Sequence, residues 1–458
     1  MTTDVKRIPQ VDKVLRHPQL VALQSEFRRD VIAEVARRVL QSYRSQEKQI
    51  QFSESLDEVA IDIENRLKEL VEGNLRKVIN GTGIILSTNL GRAPLPEAAV
   101  KKASEILHGY ANLEIDLDDG KRGERIETIS ELLALLTKCE AAIIVNNNAA
   151  AVVLAVRALA HEKEVIVSRG ELIEIGGSFR LPDVIESAGA SLKEVGTTNR
   201  TRASDFEKSI SEKTGFLLKC HRSNFEITGF TESASTAELV AIGAKHNIPV
   251  IEDLGSGALV DYTKIGMKYE PTVAEVIQHG VDVVMFSGDK LMGGSQSGII
   301  CGKAKYIELL RKNPMYRALR ADKLTIALLE QVLCQYLRPN PEKIVPVMRM
   351  ALTAASELRD RVNNFIHGTK INAQYQLEPI ELSSAFGGGT LPGQTLESFG
   401  IAISTTAKLT PDKLLKKLRK SSTPVIGIIH NDKVVIDFRT ITLQEETLLR
   451  DSLQTCLS

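Results

Sequence analysis

VDVVMFSGDKLMGG (281–294) carries a run of apolar, largely β-branched residues straight into a serine, a lysine and a pair of glycines. An unbroken apolar run bounded by turn residues is the pattern of a parallel strand covered on both faces. Four further runs share it: AAIIV (141–145), EVIVS (164–168), GFLLKC (215–220) and IPVIED (248–253). Stretches of helical periodicity separate them. Strands alternating with helices predict an α/β fold with a doubly wound, mostly parallel sheet across about 79–320.

Open sheets of this type bind ligands beyond the carboxyl ends of their strands, so the residues after each run are the candidates for chemistry. Lys290 stands between a buried strand and Gly293-Gly294, where desolvation lowers an amine's pKa and favours imine chemistry. Ser287, just ahead of it, offers a hydroxyl to a phosphate. Asp253 ends IPVIED one crossover earlier, and a carboxylate at that edge can hold a pyridinium N–H and make pyridoxal phosphate (PLP) an electron sink. Asn146-Asn147-Asn148 separate AAIIV from the helix start Ala149-Ala150-Ala151; free N–H groups at a helix N-terminus attract phosphate. Outside the sheet, residues 301–323 hold seven Lys/Arg against two acids. Arg317 and Arg320 are spaced i,i+3, which sets both guanidinium groups on one face if the segment is helical, and such forks suit oxyanions. Arg92, in TNLGR (88–92), is a second candidate for that task. Taken singly, each has a plainer reading: a surface lysine at a strand end, an aspartate or asparagine capping a helix, arginines on a solvated face.

The chain around these motifs has 458 residues, long enough for about three domains. With 43% hydrophobic and 25% charged residues it is neither disordered, collagen-like nor a disulfide scaffold. Lys+Arg and Asp+Glu are equal at 58 each, which argues against a coat on DNA without excluding a local basic patch. Five dispersed cysteines, with no pair at metal-ligand spacing, read as reduced thiols in a cytosolic protein without a metal site. No leader-like stretch opens the sequence and no apolar run approaches membrane-spanning length, so a cytoplasmic location and no membrane contact are expected.

Residues 1–78 read as a helical module. Phe27, Val31, Val35 and Val39 form one apolar stripe, and Leu56, Val59, Ile63, Leu67 and Leu70 another. Residues 1–44 hold nine Lys/Arg against five Asp/Glu, either a solvated face or a dock for an acidic partner. The large α/β domain follows over 79–330. A long helical stretch from about 322 to 365 leads into a small C-terminal α+β domain (331–458), where PVIGII (424–429), a turn at 430–433 and VVIDF (434–438) predict a hairpin.

NGTGIILSTNLGRAPL (80–95), IVNNNAAAV (144–152), VSRGELIEIGGSFRLPDV (167–184), EVGTTNRT (194–201), EDLGSG (252–257), FSGDKLMGG (286–294) and RALRADKLT (317–325), taken in order, resemble the bacterial selenocysteine synthases. These are L-seryl-tRNA(Sec) selenium transferases, PLP enzymes of the aspartate-aminotransferase-like fold (fold type I), and the likeness covers nearly the whole chain. Two departures flank the motifs: Ser295-Gln296-Ser297 where Pro-Gln-Ala is common, and Arg222 where a threonine is common. The resemblance implies that Lys290 carries PLP, that Asp253 pairs with its ring nitrogen, and that Asn147, Asn148 and Ser287 contact its phosphate. It assigns Arg92, Arg317 and Arg320 to the selenophosphate anion and puts Asp289, Thr197 and Thr198 in the active site. The implied reaction removes the seryl hydroxyl of seryl-tRNA(Sec) and adds selenium from selenophosphate. The basic helices would dock the tRNA, and the assembly would be a ring-shaped homodecamer built from dimers. A small-molecule β-eliminating or aminosugar-phosphate lyase of the same fold is the rival, and residues 1–78 discriminate, because such lyases typically lack the helical module. A non-catalytic RNA-binding scaffold is disfavoured by the joint presence of Lys290 and Asp253.

Overall fold

The computed structural model describes residues 8–47, 55–176 and 179–458. Lys6 and Arg7 of the basic segment, and Gly177 and Ser178 of the motif at 167–184, lie outside the described residues. The chain divides into two compact units, Met1–Lys77 and Val78–Ser458.

In the first unit, short helices at Val11–Leu15 and Pro18–Ala22 precede α1 (Arg29–Glu47) and α2 (Leu56–Glu72). Ser55 starts α2 with a reciprocal cap: its hydroxyl accepts the Glu58 N–H while the Glu58 carboxylate takes the Ser55 N–H. The α1 stripe matches the expected one at Val35 and Val39, which pack on the core with Phe27, but not at Val31. Ile32, Val35, Ala36 and Leu40 are buried, whereas Val31 is exposed and Phe27 precedes the helix. On α2, Val59, Ile63 and Leu67 pack inward as expected, but Leu70 is exposed. The buried residues of both helices join Val14 and Leu20 in one small core.

In the second unit, seven strands form the central sheet: β1 (Ala141–Val145), β2 (Glu164–Ser168), β3 (Ser191–Val195), β4 (Thr214–Cys220), β5 (Val250–Gly255), β6 (Val283–Ser287) and β7 (Gly298–Gly302). Their order is β1-β7-β6-β5-β4-β2-β3. All pairings are parallel except those of β7, which runs antiparallel to β1 and β6. The expected α/β architecture is therefore present. The sequence pattern does not disclose β3 and β7. SLKEV lies on an edge with one half-solvated face, and GIICG is short and framed by glycines. Gly298 is needed where β7 passes under the end of β1, since a Cβ there would lie 2.1 Å from the Asn147 carbonyl oxygen. Helix α3 (Asn148–Leu159) leaves that point with the Asn147 side chain accepting the Ala150 N–H.

The stretch after the sheet is not one long helix. It breaks into α4 (Pro314–Leu319), α5 (Lys323–Tyr336), Pro341–Ile344, Pro346–Leu352 and α6 (Ala355–Gly368). Pro314, Pro341 and Pro346 each open a new segment, because proline fits a first turn and cannot continue a preceding one. A four-stranded antiparallel sheet follows: β8 (Gln376–Ala385), β9 (Thr395–Ser404), β10 (Ile428–His430) and β11 (Lys433–Asp437), in the order β8-β9-β11-β10. The hairpin of β10 and β11 is there, with Asn431 and Asp432 both at positive φ as a tight hairpin turn requires. Its first arm is shorter than expected. Val425–Ile426 leaves the hairpin and pairs in parallel with Ile79–Asn80. Helices α6, α7 (Pro411–Leu418) and α8 (Leu443–Cys456) pack on this sheet around a second core that contains Ile79, Leu358, Leu414 and Leu449. No helix among the described residues is long and apolar enough to cross a membrane.

Candidate active site

Strands β1, β5 and β6 all point their carboxyl ends the same way, and the turns that follow them line one cleft of about 240 Å³. Arg92, Asn147, Asn148, Asp253, Ser287, Asp289 and Lys290 are all on its wall. Seven of the sequence candidates thus converge, from segments spread over nearly two hundred residues.

Lys290 is buried, and a Cβ placed on Gly255 or Gly389 would lie 3.9 or 3.8 Å from its Nζ. Burial lowers its pKa, the Arg92 guanidinium lowers it further, and Asp253 and Asp289 oppose the shift. The outcome is an amine richer in its neutral, nucleophilic form than a surface lysine. Asp289 binds Arg92, whose Nη1 donates to both carboxylate oxygens at 2.9 and 3.2 Å. Arg92 holds a φ of 61°, left-handed for a non-glycine residue, a costly geometry that places its side chain in the cleft.

Asp253 is buried at the end of β5. Its Oδ1 accepts the Asn148 amide at 2.8 Å and the Gly255 N–H at 3.0 Å, while Oδ2 accepts nothing from the described residues. Burial raises its pKa, with the Asn148 bond and the Lys290 charge pulling it back. Asn148 is therefore engaged with the carboxylate, and Asn147 caps α3. The N–H groups of Asn148 and Ala149 donate to no described residue, leaving the helix N-terminus open to an anion beside Ser287. Removing the Asn148 amide takes a bond of about 1.5–3 kcal/mol from a charged group. Asn148→Ala is expected to weaken PLP binding about 10- to 100-fold, read by titrating cofactor absorbance; unchanged affinity would mean that Asp253 needs no such support.

Four sequence candidates do not reach this cleft. Thr197 and Thr198 are exposed after β3, with the Thr197 hydroxyl donating to the Arg200 carbonyl. Arg317 is exposed in the last turn of α4, while Arg320 lies past its end in extended backbone. The two guanidinium groups therefore do not share a helix face, because α4 stops at Leu319. Arg320 instead forms a backbone bridge to Val145, next to the Asn146–Asn148 turn, with its Nη1 3.7 Å from Glu114. Residues missed by the sequence reading include His221, Ser223 and Gln296 on the cleft wall, and Gly389 beside Lys290. His221 follows β4, whose run was recognised, so the strand-end rule would have found it. Its Nε2 lies 3.1 Å from Glu270, a buried carboxylate. Gly389 carried no periodic signal. It belongs to a loop with φ of +72° and would strike Asn224 at 3.3 Å if it bore a Cβ.

A buried lysine with a lowered pKa, a buried carboxylate with one free oxygen, and an open helix N-terminus beside a serine suit an aldehyde, a ring nitrogen and a phosphate. The residues present fit PLP. The family model for L-seryl-tRNA selenium transferase matches residues 78–442, and that for the N-terminal part of selenocysteine synthase matches 5–44. The chain belongs to the L-seryl-tRNA selenium transferase family. It is 44% identical over 451 residues to the L-seryl-tRNA(Sec) selenium transferase of Carboxydothermus hydrogenoformans, covering 96% of this chain and 95% of that one. It is likewise 44% identical over 450 residues to that of Caldanaerobacter subterraneus subsp. tengcongensis, covering 98% and 97%. Among solved structures, D-glucosaminate-6-phosphate ammonia-lyase has the same fold, with a TM-score of 0.58 at 19% identity, covering 86% of this chain and 98% of that one. The selenium transferase family uses the fold type I architecture, and its cofactor is PLP.

Proposed function

We propose that the chain converts L-seryl-tRNA(Sec) to L-selenocysteinyl-tRNA(Sec), taking selenium from selenophosphate. One observation carries this over the lyase reading: the full-length likeness to named selenium transferases includes the N-terminal segment at 5–44. The shared fold of the ammonia-lyase bears on architecture alone.

PLP, when bound, supplies an aldehyde carbon open to amines and a ring that draws electron density from the substrate's α-carbon. In this proposal Lys290 Nζ would hold the cofactor and, when free, would take the α-proton and return a proton to the departing β-hydroxyl. Asp253 Oδ2 keeps the proton on the ring nitrogen, with Asn148 steadying the carboxylate. The α3 N-terminus and Ser287 receive the phosphate. Arg92, oriented by Asp289, meets the selenium donor's oxyanion. By the resemblance, Arg317 and Arg320 would meet the selenophosphate anion, and Thr197 and Thr198 would belong to an active site completed between subunits of a decameric ring. The location is cytoplasmic.

The test is product formation. Purified protein with PLP and selenophosphate is expected to charge selenium onto seryl-tRNA(Sec) and not onto seryl-tRNA(Ser). Turnover of free serine without such product would favour the lyase. In the same assay, removing residues 1–77 is expected to leave PLP bound through Val78–Ser458 and abolish selective tRNA(Sec) binding at ~150 mM salt; a truncated chain that still selects this tRNA would place recognition elsewhere.

A further inference from the structure

Residues 408–420 hold Lys408, Lys413, Lys416, Lys417, Arg419 and Lys420 against a single acid, Asp412, in a chain whose total charge is zero. Helix α7 explains their arrangement. Leu414, Leu415 and Leu418 face the second core, which drives the lysines to the opposite, exposed side. Lys413, Lys416 and Lys417 follow the i, i+3, i+4 rhythm of one helical stripe, and Lys420 stands just past the helix end. With Lys408, all of them line one open depression of about 720 Å³, together with Tyr375, Ser421 and Thr455. None of the six cations forms an ion pair among the described residues, whereas Lys68, Lys193, Lys303 and Lys433 elsewhere are each matched to a carboxylate. Three of the six are in or next to the last turn of α7, where the helix dipole accommodates one or two positive charges, not a whole unpaired row.

From this we infer that the depression beside α7 is a docking surface for the phosphodiester backbone of the tRNA, separate from the catalytic cleft and from the N-terminal module. The inference rests on the proposed tRNA substrate. The stripe from Lys413 to Lys420 rises about 10 Å, the span of about three phosphates along one strand. Lysine ammonium groups meet phosphates as point charges without reading bases. The surface therefore adds affinity and salt sensitivity but no selectivity.

The experiment uses the full-length holoenzyme with Lys413, Lys416, Lys417 and Lys420 all changed to Gln, and a milder Lys416→Gln/Lys417→Gln variant, both checked for unchanged thermal melting and PLP content. Affinity for seryl-tRNA(Sec) and seryl-tRNA(Ser) is measured from 50 to 200 mM salt. The fourfold variant is expected to weaken both tRNAs by a similar factor of ten or more, to flatten the plot of log affinity against log salt by about two to three units, and to keep turnover at saturating tRNA. The double variant should give about half that change in slope. If the fourfold variant fails to fold, the double variant decides alone. Unchanged affinity and slope would overturn the inference, including the case in which the variants instead lose binding to phosphatidylserine vesicles. So would a collapse of selectivity for tRNA(Sec) at unchanged slope, which would mean base readout. Wild-type protein that neither selects nor converts seryl-tRNA(Sec) would remove the functional reading itself, an outcome distinct from either.

Discussion

Lys290→Ala is expected to abolish covalent cofactor capture and to lower selenocysteinyl-tRNA formation by about 10⁴-fold or more. Two losses combine. The cofactor loses its anchor, and the α-carbon loses its proton acceptor, a task commonly worth about 10²–10⁴ in rate. The cleft offers no substitute, since Lys290 is the one lysine on its wall among the described residues. The neighbouring cation, Arg92, is tied to Asp289, and a guanidinium is a poor proton acceptor. Borohydride reduction followed by peptide mapping gives the readout. Wild-type protein should yield a single modified peptide spanning residue 290, and the variant none. A reduced adduct that persists and maps to Lys268, which lines the adjoining depression, would overturn the assignment. The direction of the Lys290 pKa shift adds a check. Burial lowers it, so the rate of PLP capture should reach its plateau at a lower pH than it does for an ordinary surface lysine.

How far this site was legible follows from where its parts come from. Asn147, Asp253 and Lys290 each lie within three residues of the carboxyl end of a strand buried on both faces, and such strands announce themselves as largely apolar runs. Their convergence needs only the rule that parallel strands present their carboxyl ends together. Gly389 and Glu270 belong to loops, whose positions depend on the whole fold, and nothing local marks them. On α1 the expected stripe holds at Phe27, Val35 and Val39 and fails only at Val31, whose apolar neighbour Ile32 faces inward instead; two adjacent apolar residues leave periodicity alone unable to choose between them. Arg317 and Arg320 satisfied a helical spacing that the chain does not use: Pro314 opens α4 late, and the helix ends before the second arginine. Spacing arguments hold inside an element and fail across its end.

Asp253→Asn is expected to separate activity from stability, and it is the sharper test of the site. Asparagine keeps the shape and an acceptor for the Asn148 amide and the Gly255 N–H, but it removes the charge that holds a proton on the ring nitrogen. Loss of one such electrostatic partner in a buried site costs roughly 10²–10³ in turnover, while Lys290 should still capture PLP. The effect on the cofactor-free protein runs the other way. Burial raises the Asp253 pKa above its ordinary value, so the fold binds the Asp253 proton more tightly than the unfolded chain does. That contribution to stability is present at low pH and is lost as pH rises through the raised pKa. The ionised carboxylate is thus a burden on the empty fold, tolerated because the cofactor's ring nitrogen will meet it. Cofactor-free Asp253→Asn should therefore melt above the cofactor-free wild type at pH 7.5, and the gap should be smaller at pH 5, since lower pH favours the protonated carboxyl that burial prefers. Thermal unfolding of both proteins at the two pH values decides it. A variant that is less stable at pH 7.5 would mean that the charge is held by the protein's own residues, and Asp253 would then be a structural carboxylate rather than the cofactor's partner.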